Sequence, residues 1–318
     1  MQVSNSADVP DFMKEAIDHE WQHVFLVTNP IFSIVARMVI EKFGLNPSLV
    51  DVVYLRNTNT SILGRANIEI KKGPFDRYFE KILGFSLNGK RVVSGLKKNN
   101  QKFILYAAWA DLDVLEIVSS KNCKGHVYLE EGQMSYWPIE LYKYEEKNFF
   151  RRLLHGSHVR PCALRTDLYR DDALAFIGLL PDVFPTVPKE KLIILNNLDV
   201  VKKYYKPKLV GVKTIGLTCA ERRLGVEKWD EMLRILVNNM PGDGVIKLHP
   251  SFSSDFDKRQ RLKKIVNDIS SSEVQICSDD IVLELEMLYE NKHLIGPLTS
   301  LSRYATFFGS TFKHIDLY

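Results

Sequence analysis

Short apolar runs alternate with amphipathic stretches of helical period along most of the chain, and this restricts the fold more than any other feature. "HVFLVTN" (23–29) reads as a buried strand and "FSIVARMVIEKFG" (32–44) as the helix after it, with Gly44 near its stop. "LVDVVYLRN" is a second strand, "KFILYAAW" a third, "ADLDVLEIVSS" a helix and "KGHVYLEEG" a further strand. Strands that are apolar throughout and separated by helices belong to a mostly parallel sheet covered on both faces.

The alternation lapses between residues 139 and 205, where an aromatic, charged helix ("IELYKYEEKNFFRRLLHG") and a proline-punctuated stretch are expected. It resumes near residue 209 with "VKTIGLT", "VEKWDEMLRILVNNM", "GVIKLHP", "DKRQRLKKIVNDI", "EVQIC", "IVLELEMLYEN", "HLIGP", "LTSLSRYATFFG" and "FKHIDLY", strand and helix in turn. The expected architecture is α/β, with two doubly wound domains facing a cleft. The first spans residues 1–170, a linker region 171–208 and the second 209–318.

At 45% hydrophobic and 26% charged, the 318 residues can bury cores of ordinary size. Four scattered cysteines (Cys123, Cys162, Cys219, Cys277) without a CxxC pair argue against a zinc site and a disulfide scaffold, and point to a reducing, cytoplasmic compartment. The polar N-terminus does not read as a signal peptide, and the longest apolar stretch is broken by Asn29, Pro30 and Arg37. With a net charge of +4 and no dense basic stripe or motif, nucleic acid is not an expected partner. The small basic clusters Lys71-Lys72, Lys97-Lys98, Arg151-Arg152 and "KPK" (206–208) read as solvated surface, and together would suit peripheral contact with an anionic membrane.

Ligands of open α/β sheets bind beyond the carboxyl ends of the strands, and three polar segments fall there. In "YLEEG", Glu130 and Glu131 end a strand and Gly132 permits a tight turn. The turn reads either as an exposed acidic corner or as a carboxylate base at a cleft. Tyr136 and Trp137 follow it, as core packing or as rings that stack on a sugar. In "VIKLHP", His249 leaves a strand, Pro250 fixes its exit, and Lys247 leans to the same face. An imidazole there can hydrogen-bond or protonate an anionic leaving group. In "IGPLTSLSRYA", a strand ends at Gly296-Pro297, and Thr299, Ser300 and Ser302 open a helix whose free N–H groups favour phosphate. Plain N-capping by Thr299 or Ser300 is the competing explanation.

In this order, the acidic-acidic-Gly turn, the Lys-x-His-Pro and the Thr-Ser helix start resemble the motifs of bacterial GT-B sialyltransferases: D/E-D/E-G, H-P and S-S/T. Lipooligosaccharide sialyltransferases and capsule polysialyltransferases share that set, and "FLVTNPIFSIVARMVI" is similar to the first strand and helix of the lipooligosaccharide enzymes. The resemblance implies inverting transfer of sialic acid from CMP-sialic acid to a glycan hydroxyl, without metal or other cofactor. Glu130 matches the first acidic position and would be the base, with Glu131 supporting; His249 would assist the leaving phosphate. Thr299 and Ser300 match the hydroxyl pair on the donor, and Lys247, Pro250, Ser302, Asn29 and Gly296 are further donor-binding candidates. Glutamate at both acidic positions adds a methylene of reach, which leaves open which of the two acts. Bacterial surface glycans are the implied acceptors, and a homodimer stays open.

The pairs of aspartates in "DLD" (111–113) and "DFD" (255–257) are similar to the metal-binding DxD of GT-A glycosyltransferases, yet both sit where a helix starts and suit its N-terminus. His155 and His158, beside Arg151-Arg152, read as a solvated helix end or as a contact for an anionic acceptor. No GxGxxG, Walker A or GxSxG sequence occurs. Two alternatives remain: a GT-B transferase using CMP-Kdo or a UDP-sugar, and a nucleotide-sugar- or glycan-binding protein without turnover.

Overall fold

The computed structural model describes residues 9–55, 62–64, 86–97, 101–139, 141–142, 169–219, 225–241, 243–249, 256–269, 275–278 and 280–315. The chain divides into two compact units, Met1–Val201 and Lys202–Tyr318.

The first unit is built on a six-stranded sheet in the order β2-β1-β3-β4-β7-β8. Its strands are β1 (Gln22–Val27), β2 (Val50–Tyr54), β3 (Phe103–Ala107), β4 (Cys123–Leu129), β7 (Ala175–Gly178) and β8 (Leu192–Ile194). Every pairing is parallel. The central strands β1 and β3 are buried at every residue, as a parallel sheet between helical layers requires. Helix α1 (Pro30–Lys42) leaves β1 through Asn29, whose Oδ1 accepts the Phe32 N–H, and Pro30 fills the position that lacks an N–H partner anyway. Gly44 follows it with φ 60°, a left-handed stop. Helices α2 (Leu87–Lys97) and α3 (Leu112–Val118) pack together, and the Asp111 carboxylate caps α3 at the Val114 N–H, so "DLD" is used as a helix start.

The stretch 171–208, expected as a linker region, supplies β7 and β8 to this sheet. The prolines there punctuate a turn-rich connection between two edge-side strands. The expected helix from 139 also begins differently: β5 (Leu141–Tyr142) pairs with β6 (Tyr169–Arg170). The rest of that helix, with His155 and His158, lies outside the described residues.

The second unit carries a five-stranded parallel sheet in the order β11-β10-β9-β12-β13. The strands are β9 (Thr214–Leu217), β10 (Val245–Lys247), β11 (Gln275–Ile276), β12 (His293–Gly296) and β13 (Thr311–His314). Helices α4 (Val226–Asn238) and α5 (Phe256–Ile269) bury Trp229, Met232, Leu233, Leu236 and Leu262 in one core with Ile246 and Ile295. "IVLELEMLYEN", expected as a full helix, forms a single turn, α6 (Leu283–Glu286), before α7 (Ser300–Phe307). Among the described residues no helix is long and apolar enough to cross a membrane.

Both sheets start in their interior and grow outward in two directions. The strand order therefore reverses between β1 and β3 in one unit and between β9 and β12 in the other. Such switch points leave a crevice at the carboxyl ends of the strands, the usual ligand position in open α/β sheets.

Candidate functional site

In the first unit, the ends of β1 and β4 meet across β3. Between them β3 runs out on Ala107 and Ala108, both buried and too small to separate the two neighbours. Asn29 Nδ2 donates to the Glu131 backbone carbonyl at 2.5 Å and to Glu131 Oε2 at 3.1 Å. Its Oδ1 is held by the Phe32 N–H at 2.9 Å, so the helix cap fixes which way the amide points. The Thr28 hydroxyl lies 3.4 Å from the same carboxylate oxygen, and the Ser135 hydroxyl accepts the Glu131 N–H at 3.1 Å. Gly132 has φ 123° and ψ −144°, open in practice only to glycine, and turns the chain into the single 3-10 turn Gln133–Tyr136.

The two glutamates have separate environments. Glu130 is 0% exposed. Its Oε2 accepts the Leu179 N–H at 2.6 Å, and its Oε1 accepts the Tyr136 hydroxyl. Gly178 makes room for it: a Cβ there would stand 2.8 Å from Glu130 Oε2 and 2.7 Å from Val183. Glu131 is half-buried at the carboxyl end of the sheet. Glu130 thus ties β4 to the turn after β7, and its side chain is closed to solvent. Tyr136 is committed to Glu130 and to the surrounding aromatic core, whereas Trp137 is 49% exposed beside the turn. Tyr169 packs under the turn; burial pushes its phenol up, the hydrogen bond with Ser135 works against that, and the two carboxylates add to it.

In the second unit, Thr218 follows β9 at the switch point. Its hydroxyl accepts the His249 N–H at 2.9 Å, and its own N–H donates to the Lys247 carbonyl at 3.2 Å, which holds the two strand ends together. His249 is half-buried there; Lys247 donates to the Ser278 carbonyl at 3.0 Å. Burial pushes the Glu284 carboxyl above its ordinary value, and the Lys247 ammonium works against that. Pro250 lies outside the described residues.

Thr299 stands at the N-cap of α7, but its side chain makes no capping bond, and its buried Oγ1 has no hydrogen-bond partner among the described residues. Plain capping is therefore not what this hydroxyl does. Ser300 is half-exposed at the first turn. Ser302 turns its hydroxyl back on the Thr299 carbonyl at 2.7 Å, which makes it part of the helix rather than a free donor. Gly296 also has a packing reason, since a Cβ would come within 2.6 Å of the Leu217 carbonyl oxygen.

The described residues thus place Asn29 with Glu131, and Lys247 with His249 and Thr218. Thr218, Ser135 and Glu284 were missed in the sequence. A polar residue directly after the first strand of a block is a usable signal for Thr218; Ser135 reaches the Glu131 N–H through a turn that no local pattern announces, and Glu284 sits in a short helix that the sequence reads as a longer one.

No family model matches the chain, and no curated protein matches it. Solved structures do. S. aureus MnaA in its UDP co-structure is 10% identical, with 92% of this chain and 78% of that chain covered and a TM-score of 0.56. The UDP-GlcNAc 2-epimerase from Neisseria meningitidis bound to UDP-GlcNAc is 11% identical, covering 92% and 82%, at 0.53. A 2,6-sialyltransferase from Vibrionaceae Photobacterium sp. JT-ISH-224, in complex with CMP and lactose, is 12% identical, covering 92% and 70%, at 0.49. At these identities the likeness is one of fold, and the chain has the α/β GT-B fold, with two sheets of parallel strands.

Proposed function

We propose that the protein is an inverting, metal-independent glycosyltransferase that moves sialic acid from CMP-sialic acid to a hydroxyl of a bacterial surface glycan. The observation that carries this is the start of α7 at a switch point, where the Thr299 side chain makes no capping bond and its buried hydroxyl has no hydrogen-bond partner among the described residues. A buried hydroxyl without a partner costs about 1–3 kcal/mol. An anionic oxygen at the N–H groups of the helix start would satisfy it once the Thr299 side chain, itself only half-buried, turns outward.

In this reading Glu131 is the base and Glu130 its support, the reverse of the roles expected from motif order. Glu131 is reachable and is oriented by Asn29, whereas both oxygens of Glu130 are occupied in a dry site. The acceptor hydroxyl gives its proton to Glu131 as its oxygen bonds to the anomeric carbon. The bond from that carbon to the phosphate oxygen breaks with its electron pair on CMP. Thr299, Ser300 and the α7 N-terminus stabilise the phosphate, and His249 donates a hydrogen bond or proton to it. Trp137 offers an exposed face to the acceptor.

The test is CMP release from CMP-sialic acid in chelator, with and without a panel of galactosides and sialosides, read with product mass. Acceptor-dependent release that falls at least ~100-fold in Glu131→Gln, with Glu130→Gln less affected, is the expected result. Equal retention of turnover in Glu131→Gln and His249→Ala would overturn the assignment. A second reading, transfer from a UDP-sugar, is favoured by the nucleotides named with the first two structural neighbours, UDP and UDP-GlcNAc. Competition of CMP against UDP for the donor separates the two.

A further inference from the structure

The segment Lys202–Lys213, "KKYYKPKLVGVK", holds five lysines and no acidic residue, in a chain whose whole net charge is +4. Between Lys203 and Lys213 it belongs to neither helix nor sheet, and side chains of the second unit bind its backbone instead. Glu286, buried, accepts the N–H groups of Lys208 and Leu209 at 2.8 and 2.9 Å and also the Tyr205 hydroxyl. Buried Lys292 donates to the carbonyls of Leu209 and Val212 at 2.7 and 2.9 Å. Tyr289 donates to the carbonyls of Lys202 and Tyr205.

This clamp gives the strap two faces. Tyr205 and Leu209 point inward and are buried. Outward stand Lys203, Tyr204, Lys206, Lys208, Val210 and Lys213, all exposed. Lys203 and Lys206 have no ion-pair partner among the described residues; Lys208 and Lys213 pair with Asp280 and Glu290. The Val212 N–H donates to the Leu209 carbonyl at 3.2 Å across a tight turn, with Gly211 at φ 82°. Val210 sits at the tip of that turn, 75% exposed, and Tyr204 is exposed on the same strap.

We propose that this strap is a docking surface for an anionic lipid bilayer, the lysines meeting headgroup phosphates and Val210 entering the interface between them. The combination decides the occupant. A nucleic acid would use the lysines but has no use for an aliphatic tip, and an apolar protein partner would not call for uncompensated lysines. The strap leads into the amino end of β9, while His249 and Thr299 lie at the carboxyl ends of β10 and β12. Docking therefore leaves the donor end of this unit open to water, where a soluble nucleotide sugar is found.

Co-sedimentation of the full chain with phosphatidylcholine vesicles, with and without about one-third phosphatidylglycerol, tests this. The expected result is binding to the anionic vesicles only, released as salt approaches about 1 M, where the screening length is about 3 Å. A lysine near such a surface contributes about fivefold in affinity, so Lys203→Ala with Lys206→Ala should weaken binding about thirtyfold. Val210→Asp should weaken it at least about tenfold with every lysine intact. Both sites are exposed, and an unchanged thermal midpoint would confirm that the variants fold. Equal binding to neutral vesicles, no binding, or loss of binding only in Lys263→Ala with Lys264→Ala on α5 would overturn the proposal. So would retention on RNA without retention on vesicles, or strap-dependent self-association alone.

Discussion

At the residue scale, the acidic turn depends on an amide that does two things. Asn29 caps α1 through Oδ1 and grips Glu131 through Nδ2, so the helix start and the carboxylate are set by one side chain. The two tasks can be separated. Serine caps nearly as well as asparagine, whereas loss of the cap costs about 1 kcal/mol. Serine, however, carries no amide to reach Glu131. Asn29→Ser should therefore leave the thermal midpoint close to the wild type and lower turnover about tenfold, because a carboxylate free to rotate is a poorly positioned base. Asn29→Ala should lose both. If Asn29→Ser turned over like the wild type, the grip on Glu131 would have no catalytic meaning.

At the scale of elements, the same logic applies to Glu286, whose buried carboxylate replaces the sheet or helix that the strap lacks. Glu286→Ala leaves two backbone N–H groups and the Tyr205 hydroxyl without an acceptor. The expected cost is about 3 kcal/mol in urea unfolding, with faster hydrogen exchange at Lys208 and Leu209 than at the amides of β9. Uniform exchange across the unit would argue that the strap is held otherwise. This element also marks where sequence reasoning stopped. Period and turn residues were enough for β1, α1, β3, β4, β9, α4, α5, β12 and α7, because each signals its burial locally. They were not enough for α6, whose helical period is cut short where Glu286, Tyr289 and Glu290 reach for the strap. Nor could they separate Glu130 from Glu131. Strand alternation puts adjacent side chains on opposite faces, but only the turn after β7 decides which face is dry.

At the scale of the whole molecule, the two units should respond to acid at different pH. In the first, His23 and His126 are buried within strands, and burial lowers both imidazoles to about 4 from an ordinary 6.5. His23 Nδ1 is paired with the Tyr106 hydroxyl; His126 Nε2 lies 3.8 Å from Asp172, which with Arg170 and Lys191 is the charge it faces. Between pH 6.5 and 4 the unfolded chain takes up protons that these folded imidazoles refuse. Unfolding thus consumes protons, and stability falls as pH falls through that window. In the second unit the Glu290 carboxylate is held down to about 2 by Lys213, Lys292 and the Gly211 N–H. Its contribution is complete above about 4.5 and is lost only as pH falls towards 2. Acidification from pH 7 to 5 should therefore loosen β1 and β4 while the amides around Glu290 stay protected, as hydrogen exchange on the full chain would show. His23→Gln and His126→Gln should each flatten the pH dependence of the thermal midpoint, whatever they do to its absolute value. An unchanged slope in both variants, or first loosening around Glu290, would place the acid-sensitive groups elsewhere in the chain.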